Sequence, residues 1–224
     1  MRLLLHAVTT ADGAEASPTG LRDQPYVRVA MKGLAAWATQ FSEAPVTFGR
    51  TDLLEHHALV SRLSAEHAGV LPARFPTWLA DAEALRAELE RRQADFVAAL
   101  ERVRGRVEIA VTVLWTSLAE HETPPEAATP GRRYLLGRQQ AFTGSDTRRA
   151  RARQLADETE RLVGDDLADV RHQVCPSATV ALSSAVLVPR ERAENVKVRL
   201  ARAEQDVRIL INGPWPPYTF ADVV

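Results

Sequence analysis

The chain is short of several things, and each shortage removes a class of function. It holds one cysteine, Cys175, so an internal disulfide and a thiolate zinc site are both excluded and a reducing, cytoplasmic setting is expected. Lysine occurs only at Lys32 and Lys197, the remaining basic charge being arginine. Lys plus Arg total 28 against 29 for Asp plus Glu, a formal net charge of -1, so no global field attracts nucleic acid or anionic lipid. No uninterrupted apolar run of about 18 residues is present, which argues against a membrane span. The apolar opening Leu3-Leu4-Leu5 is cut short by His6, Thr9 and Asp12, so it reads as a first strand and not as a secretory leader. Phosphate-cradling glycine loops of the G-x-x-x-x-G-K-[ST] or G-x-G-x-x-G type are missing, and nucleotide chemistry goes with them.

What is present is an ordinary globular composition, 46% hydrophobic and 25% charged over 224 residues, in which short period-2 runs alternate with period-3.6 runs. That mixture predicts an α+β protein. Strands are expected at Leu3 to Val8, at Tyr26 to Lys32 turning through Gly33 into Leu34 to Thr39, and at Val107 to Trp115. Thr51 or Asp52 is expected to cap a helix that ends near Gly69, followed by a short edge strand from Val70 to Phe75 between prolines. A second helix is expected from Thr77 to Gly105. In the second half, Glu120 to Pro130 reads as a connection and about Arg132 to Val174 as a long helical stretch, with Gly144 as a candidate break. Its recurring Leu155, Thr159, Leu162, Leu167, Val170 and Val174 suggest a partly coiled-coil element. A strand from Val180 to Val188, a helix from Pro189 to about Gln205 and a strand from Val207 to Ile211 follow.

Candidate chemistry is thin. His56, His57 and His67 share one helix but lack the companions of a zincin helix, so packing or surface roles are expected. Ser183 and Ser184 lie mid-strand, away from any nucleophile elbow. The arginine block Arg132 to Arg153 runs into Asp157 to Asp169, a charge-split helix better suited to solvent or protein contact than to phosphate. Arg74 and Glu108, each a charge within an apolar segment, are expected to pair. The segment Gly213-Pro214-Trp215-Pro216-Pro217-Tyr218-Thr219-Phe220 is the least ordinary. Its prolines remove backbone donors, so the strand before it is expected to leave its ladder and run on as a stiff aromatic tail that either packs as a lid or anchors a partner.

GPWPPYTF resembles the carboxyl-terminal signature of the gas vesicle protein F/L family (GvpF/GvpL). Four further stretches resemble that family in order: Val70-Leu71-Pro72-Ala73-Arg74-Phe75-Pro76-Thr77, Gly105-Arg106-Val107-Glu108, Gly131-Arg132-Arg133-Tyr134-Leu135 and Leu187-Val188-Pro189-Arg190. Pro76 stands where the family has glycine. The resemblance implies two α+β domains, 1–104 a ferredoxin-like variant and 105–224 a small sheet with the long helix and the proline-rich tail. It implies an accessory role in gas vesicle assembly, with the small hydrophobic shell protein and other accessory proteins as partners, and no enzyme activity, cofactor, metal, nucleic acid, membrane or small-molecule substrate. Docking of the shell protein is the expected task, with Arg74, Phe75, Trp215, Tyr218 and Phe220 as the partner-binding candidates. A scaffold that gathers other accessory proteins through the charge-split helix is the alternative.

Overall fold

The computed structural model describes every residue except 13–18, 44–46, 117–129, 176, 178 and 203–206, and leaves out the side chains of 130–145. Its elements run β1 (Arg2–Thr10), β2 (Tyr26–Met31), β3 (Leu34–Phe41), α1 (Arg50–Glu66), β4 (Val70–Leu79), α2 (Ala82–Arg91), α3 (Gln93–Val103), β5 (Arg106–Trp115), α4 (Pro130–Val163), β6 (Asp169–Val174), β7 (Val180–Pro189), α5 (Ala193–Leu200) and β8 (Val207–Trp215). They form two compact units, Met1–Glu108 with Trp215–Val224, and Ile109–Pro214. The division falls between Glu108 and Ile109, and the last ten residues belong with the first unit.

In the first unit a four-stranded sheet runs β2-β3-β1-β4, each neighbour antiparallel. Lys32 and Gly33, at φ of 48° and 84°, make the two-residue turn that pairs Met31 with Leu34, a conformation in which glycine costs nothing. β4 is an edge strand, as its prolines foretell, though longer than expected. A β-α-β-β-α-β ferredoxin-like chain carries a helix between its first two strands; among the described residues that stretch holds only a one-turn helix, Leu21–Asp23. The cap of α1 is Gly49 and not Thr51 or Asp52; Asp52 instead reaches back to accept the Gly49 N–H at 2.7 Å. The expected single helix from Thr77 is two, capped by the Asp81 carboxylate on Ala84 N–H and divided at Arg92.

The second unit's sheet runs β6-β7-β5-β8. In β5, Val107, Ile109, Val111 and Val113 are buried, the alternation its sequence shows. The long helix ends at Val163, continuous across Gly144, and residues 169–174 are strand β6 paired antiparallel with β7. The expectation of helix to Val174 fails because Gly164, at φ 60°, turns the chain out of the helix. The buried face of α4, Ala152, Leu155, Ala156, Thr159 and Val163, packs on its own β6, β7 and α5. Residues 117–129, expected as a connection, and the side chains of the Gly131–Leu135 motif lie outside the described residues. The tail also differs. β8 continues through Gly213-Pro214 to Trp215, because an edge strand tolerates a missing donor, and a helical turn at Tyr218–Phe220 follows.

Candidate functional site

Two groups of side chains in the first unit carry features that packing alone does not require. One centres on His6. The β1 register shifts between Leu5 and Ala7 against both neighbours, leaving His6 in a bulge, a device that redirects a side chain. Opposite it, pairing jumps from Leu5↔Thr77 to Ala7↔Pro72, so residues 73–76 of the L-P-A-R-F-P segment stand out of the ladder. His6 turns inward. Its Nδ1 lies 2.8 Å from His56 Nδ1 and its Nε2 lies 2.7 Å from Thr39 Oγ1. Leu21 N–H donates to that hydroxyl oxygen at 2.9 Å, and a Cβ at neighbouring Gly20 would fall on it.

The contact between the two Nδ1 atoms requires one imidazole to donate a proton and the other to accept it, which a pair of neutral rings can do. The Ala73 backbone is the neighbour that favours a proton on His56. Burial, with the facing imidazole second, drives His6 down to about 3; burial likewise drives His56 to about 4 against that Ala73 contribution. Both rings are therefore neutral at pH 7. Phe75 covers His56 with ring centroids 4.9 Å apart.

The second group lies where the tail meets α1. The Glu108 carboxylate, 7% exposed, accepts from Thr219 N–H and from the Thr219 hydroxyl, both at 2.8 Å. Burial raises its pKa while those two bonds oppose the rise. Arg102 Nη2 donates to the Phe220 carbonyl at 2.5 Å. Thus fastened, the tail lays Tyr218 against the core of Ala7, Trp37, Val60 and Leu63 and places its hydroxyl 3.2 Å from His57 Nδ1. Trp215 meets the His57 ring edge-on at 5.1 Å. Beside this contact α1 exposes Leu53 (51%) and Leu54 (56%), and Trp215 itself is 39% exposed.

The expected residues therefore separate. Trp215 is exposed; Tyr218 and Phe75 are half-buried. Phe220 is fully buried and is a core residue of the first unit. Arg74 is exposed and the Glu108 carboxylate is bound by Thr219, so the expected Arg74–Glu108 pair is not formed: Arg74 lies in the stretch that leaves the β1 ladder, and a hydroxyl and an amide 111 residues along the chain meet the carboxylate's need for donors. His56 and His67 are buried packing residues. Sequence reasoning missed His6, because nothing local announces a bulge. It also missed a trio in the second unit, where His172 Nδ1 is 2.7 Å from Ser184 Oγ and Nε2 is 3.0 Å from Glu160. Ser184 is 3% exposed in the paired middle of β7, which leaves no face for a substrate carbonyl; the trio ties α4 to its sheet.

Two four-stranded sheets with helices packed on them, closed by an aromatic tail, define an architecture already seen in solved structures. The gas vesicle protein GvpF from an Anabaena species matches with a TM-score of 0.79 at 18% identity, over 99% of this chain and 98% of that one. GvpF from Microcystis aeruginosa matches at 0.75 and 17%, over 99% of both chains. In sequence, gas vesicle protein L of a Streptomyces species is 34% identical over 216 residues, covering 87% of this chain and 80% of the relative. Gas vesicle protein L1 of Halobacterium salinarum is 24% identical, covering 95% and 86%. The model of the gas vesicle synthesis proteins GvpL/GvpF matches residues 3–222. The chain belongs to the GvpL/GvpF family of gas vesicle proteins.

Proposed function

We propose that the chain serves gas vesicle formation by docking the small apolar shell protein and keeping it unaggregated until it is added to the growing wall. The observation that carries this reading is the apolar face of the first unit, where Leu53, Leu54 and Trp215 are exposed around His57. Large exposed apolar side chains gathered at one place mark partner contact more often than chance surface. A tail fastened by Glu108 and Arg102 loses little conformational entropy when a partner arrives. The reading calls for no catalysis, cofactor or metal, and places the protein in the cytoplasm with the vesicles.

The scaffold alternative has less support, since the charge-split helix uses its apolar stripe within its own unit and ties Arg151 to Glu158 at 3.0 Å. Co-purification separates the two. Capture of the shell protein by this chain alone is the expected result; capture only when other accessory proteins are present would favour the scaffold.

A further inference from the structure

The second unit's sheet has two outer strands, and they are finished differently. β6 carries Asp169, Arg171 and Gln173 at alternate positions, and its Val170 N–H already donates to the Asp169 carboxylate at 2.8 Å. Charge and an occupied donor discourage another strand from pairing there. β8 stands at the opposite end of the order β6-β7-β5-β8. From 207 to 213 it reads Val-Arg-Ile-Leu-Ile-Asn-Gly, with a single charge and three β-branched residues, a composition that favours pairing. Arg208, Leu210 and Asn212 are exposed, Leu210 at 37%, while Ile209 and Ile211 are half-buried. Side chains alternate across a strand, so the first three share one face and the two isoleucines the other. Among the described residues, no hydrogen bond reaches the main chain of 208–212 from outside the sheet.

This stretch is also close to a palindrome about Leu210. An antiparallel pair of two copies, related by a two-fold axis through that residue, places Leu210 opposite Leu210, Ile209 opposite Ile211 and Arg208 opposite Asn212. On the inner face each copy covers the isoleucines that the end of the sheet leaves half open. On the outer face the cation meets a neutral amide that can accept from it, so no like charges face each other. The register is fixed on both sides. A one-residue shift would set an inner face against an outer one, and a two-residue shift toward the carboxyl end would draw in Pro214, which has no N–H to give. The Gly213 carbonyl already accepts from Lys197 at 3.1 Å, which closes the ladder at the same end.

We propose that β8 pairs antiparallel with β8 of a second copy of this chain about a two-fold axis at Leu210, joining two four-stranded sheets into one. A two-fold contact uses the same edge in both copies and stops at two. A pairing this short buries little area, so the dimer is reversible. It is independent of shell docking.

Sedimentation equilibrium of the full chain over a hundredfold range of concentration is expected to show a monomer–dimer equilibrium. Leu210→Lys sets two cations against each other on the axis and should raise the dissociation constant at least tenfold. Asn212→Arg sets arginine against arginine at both ends and should also weaken the dimer at least tenfold at low salt. R208D/N212R makes those two contacts oppositely charged and should restore the dimer to within about threefold of the unaltered chain or better. Arg208 and Asn212 are exposed and lie too far apart along one extended strand to meet within a chain, so rescue reports contact between copies. An unchanged thermal midpoint in the two charge variants keeps the comparison readable even where Leu210→Lys unfolds the chain. A chain that stays monomeric throughout overturns the proposal, as does a dimer indifferent to Asn212→Arg or one that R208D/N212R fails to restore. Growth beyond the dimer overturns it as well, since the contact would then not close on itself.

Discussion

Helices α1 and α4 solve amphipathicity in opposite ways. The second half of α4 is conventional: Ala152, Leu155, Ala156, Thr159 and Val163 are buried in one stripe, exposed Arg153, Asp157 and Arg161 stand outside, and Arg199 donates to the last carbonyls at Leu162 and Val163. In α1, Asp52, His56 and Ser64 are buried beside Leu59, Val60 and Leu63, while Leu53 and Leu54 face water. A helix that buries polar groups and exposes leucines is arranged against its own solubility. Two of these buried polar groups have a visible reason: Asp52 holds Arg22 and the helix start, and His56 holds His6. The exposed leucines, by contrast, have half or more of their surface in water.

The contrast breaks most directly at Leu155. Truncation to Ala should cost about 2 to 5 kcal/mol, the usual range for a buried leucine, and lower the thermal midpoint by several degrees. A loss below about 0.5 kcal/mol would mean that α4 does not rest on its sheet as described.

Acid sharpens the contrast from the α1 side. His6 and His56 have folded pKa values of about 3 and about 4, below the 6.5 of an ordinary histidine, so the unfolded chain takes up protons first as pH falls. Stability is then full above pH 6.5 and lost from there down to about pH 3, by on the order of 3 to 5 kcal/mol for each ring. Glu108, whose pKa burial raises, works with the opposite sign and returns part of that loss as pH approaches the carboxylate range. Denaturant midpoints measured from pH 7.5 to 4.5 should slope downward, and less steeply in His56→Gln. A flat profile in the unaltered chain would contradict a neutral buried pair.

The tail comes next in size. Thr219→Ala removes one of two donors to a buried carboxylate and should cost about 1 to 2 kcal/mol. Limited proteolysis ought to show the last ten residues cut faster. Unchanged protection would mean that Arg102 and the Phe220 ring hold the tail without Glu108.

Much of the fold was legible because its signals are local. The Lys32-Gly33 turn, the alternation of β5 and the prolines within β4 each act within a few residues. Long-range compensation was not legible: Glu108 and Arg74 share a need, yet the partner that reached Glu108 lies 111 residues on. Nor was the end of α4, where Val170, His172 and Val174 suit either period and only Gly164 marks the change. Trp215, framed by prolines, stands exposed, whereas Phe220, in the same motif, is interior because the helical turn after Pro217 carries it there.

The smallest expected effect is the most telling for the comparison. Leu54 has more than half its surface in water, so Leu54→Gln removes little buried area and keeps a good helix former; stability should change by no more than about 0.5 kcal/mol. The same exchange at Leu155 would bury an amide against apolar neighbours and lower the midpoint sharply. If Leu54→Gln instead costs 2 kcal/mol or more, the leucine is a structural residue and the face of α1 has no surplus to offer a partner. If it is neutral for folding while shell-protein capture falls, the inverted pattern of α1 is a binding surface, because a side chain that contributes nothing to its own fold acts through what it meets outside it.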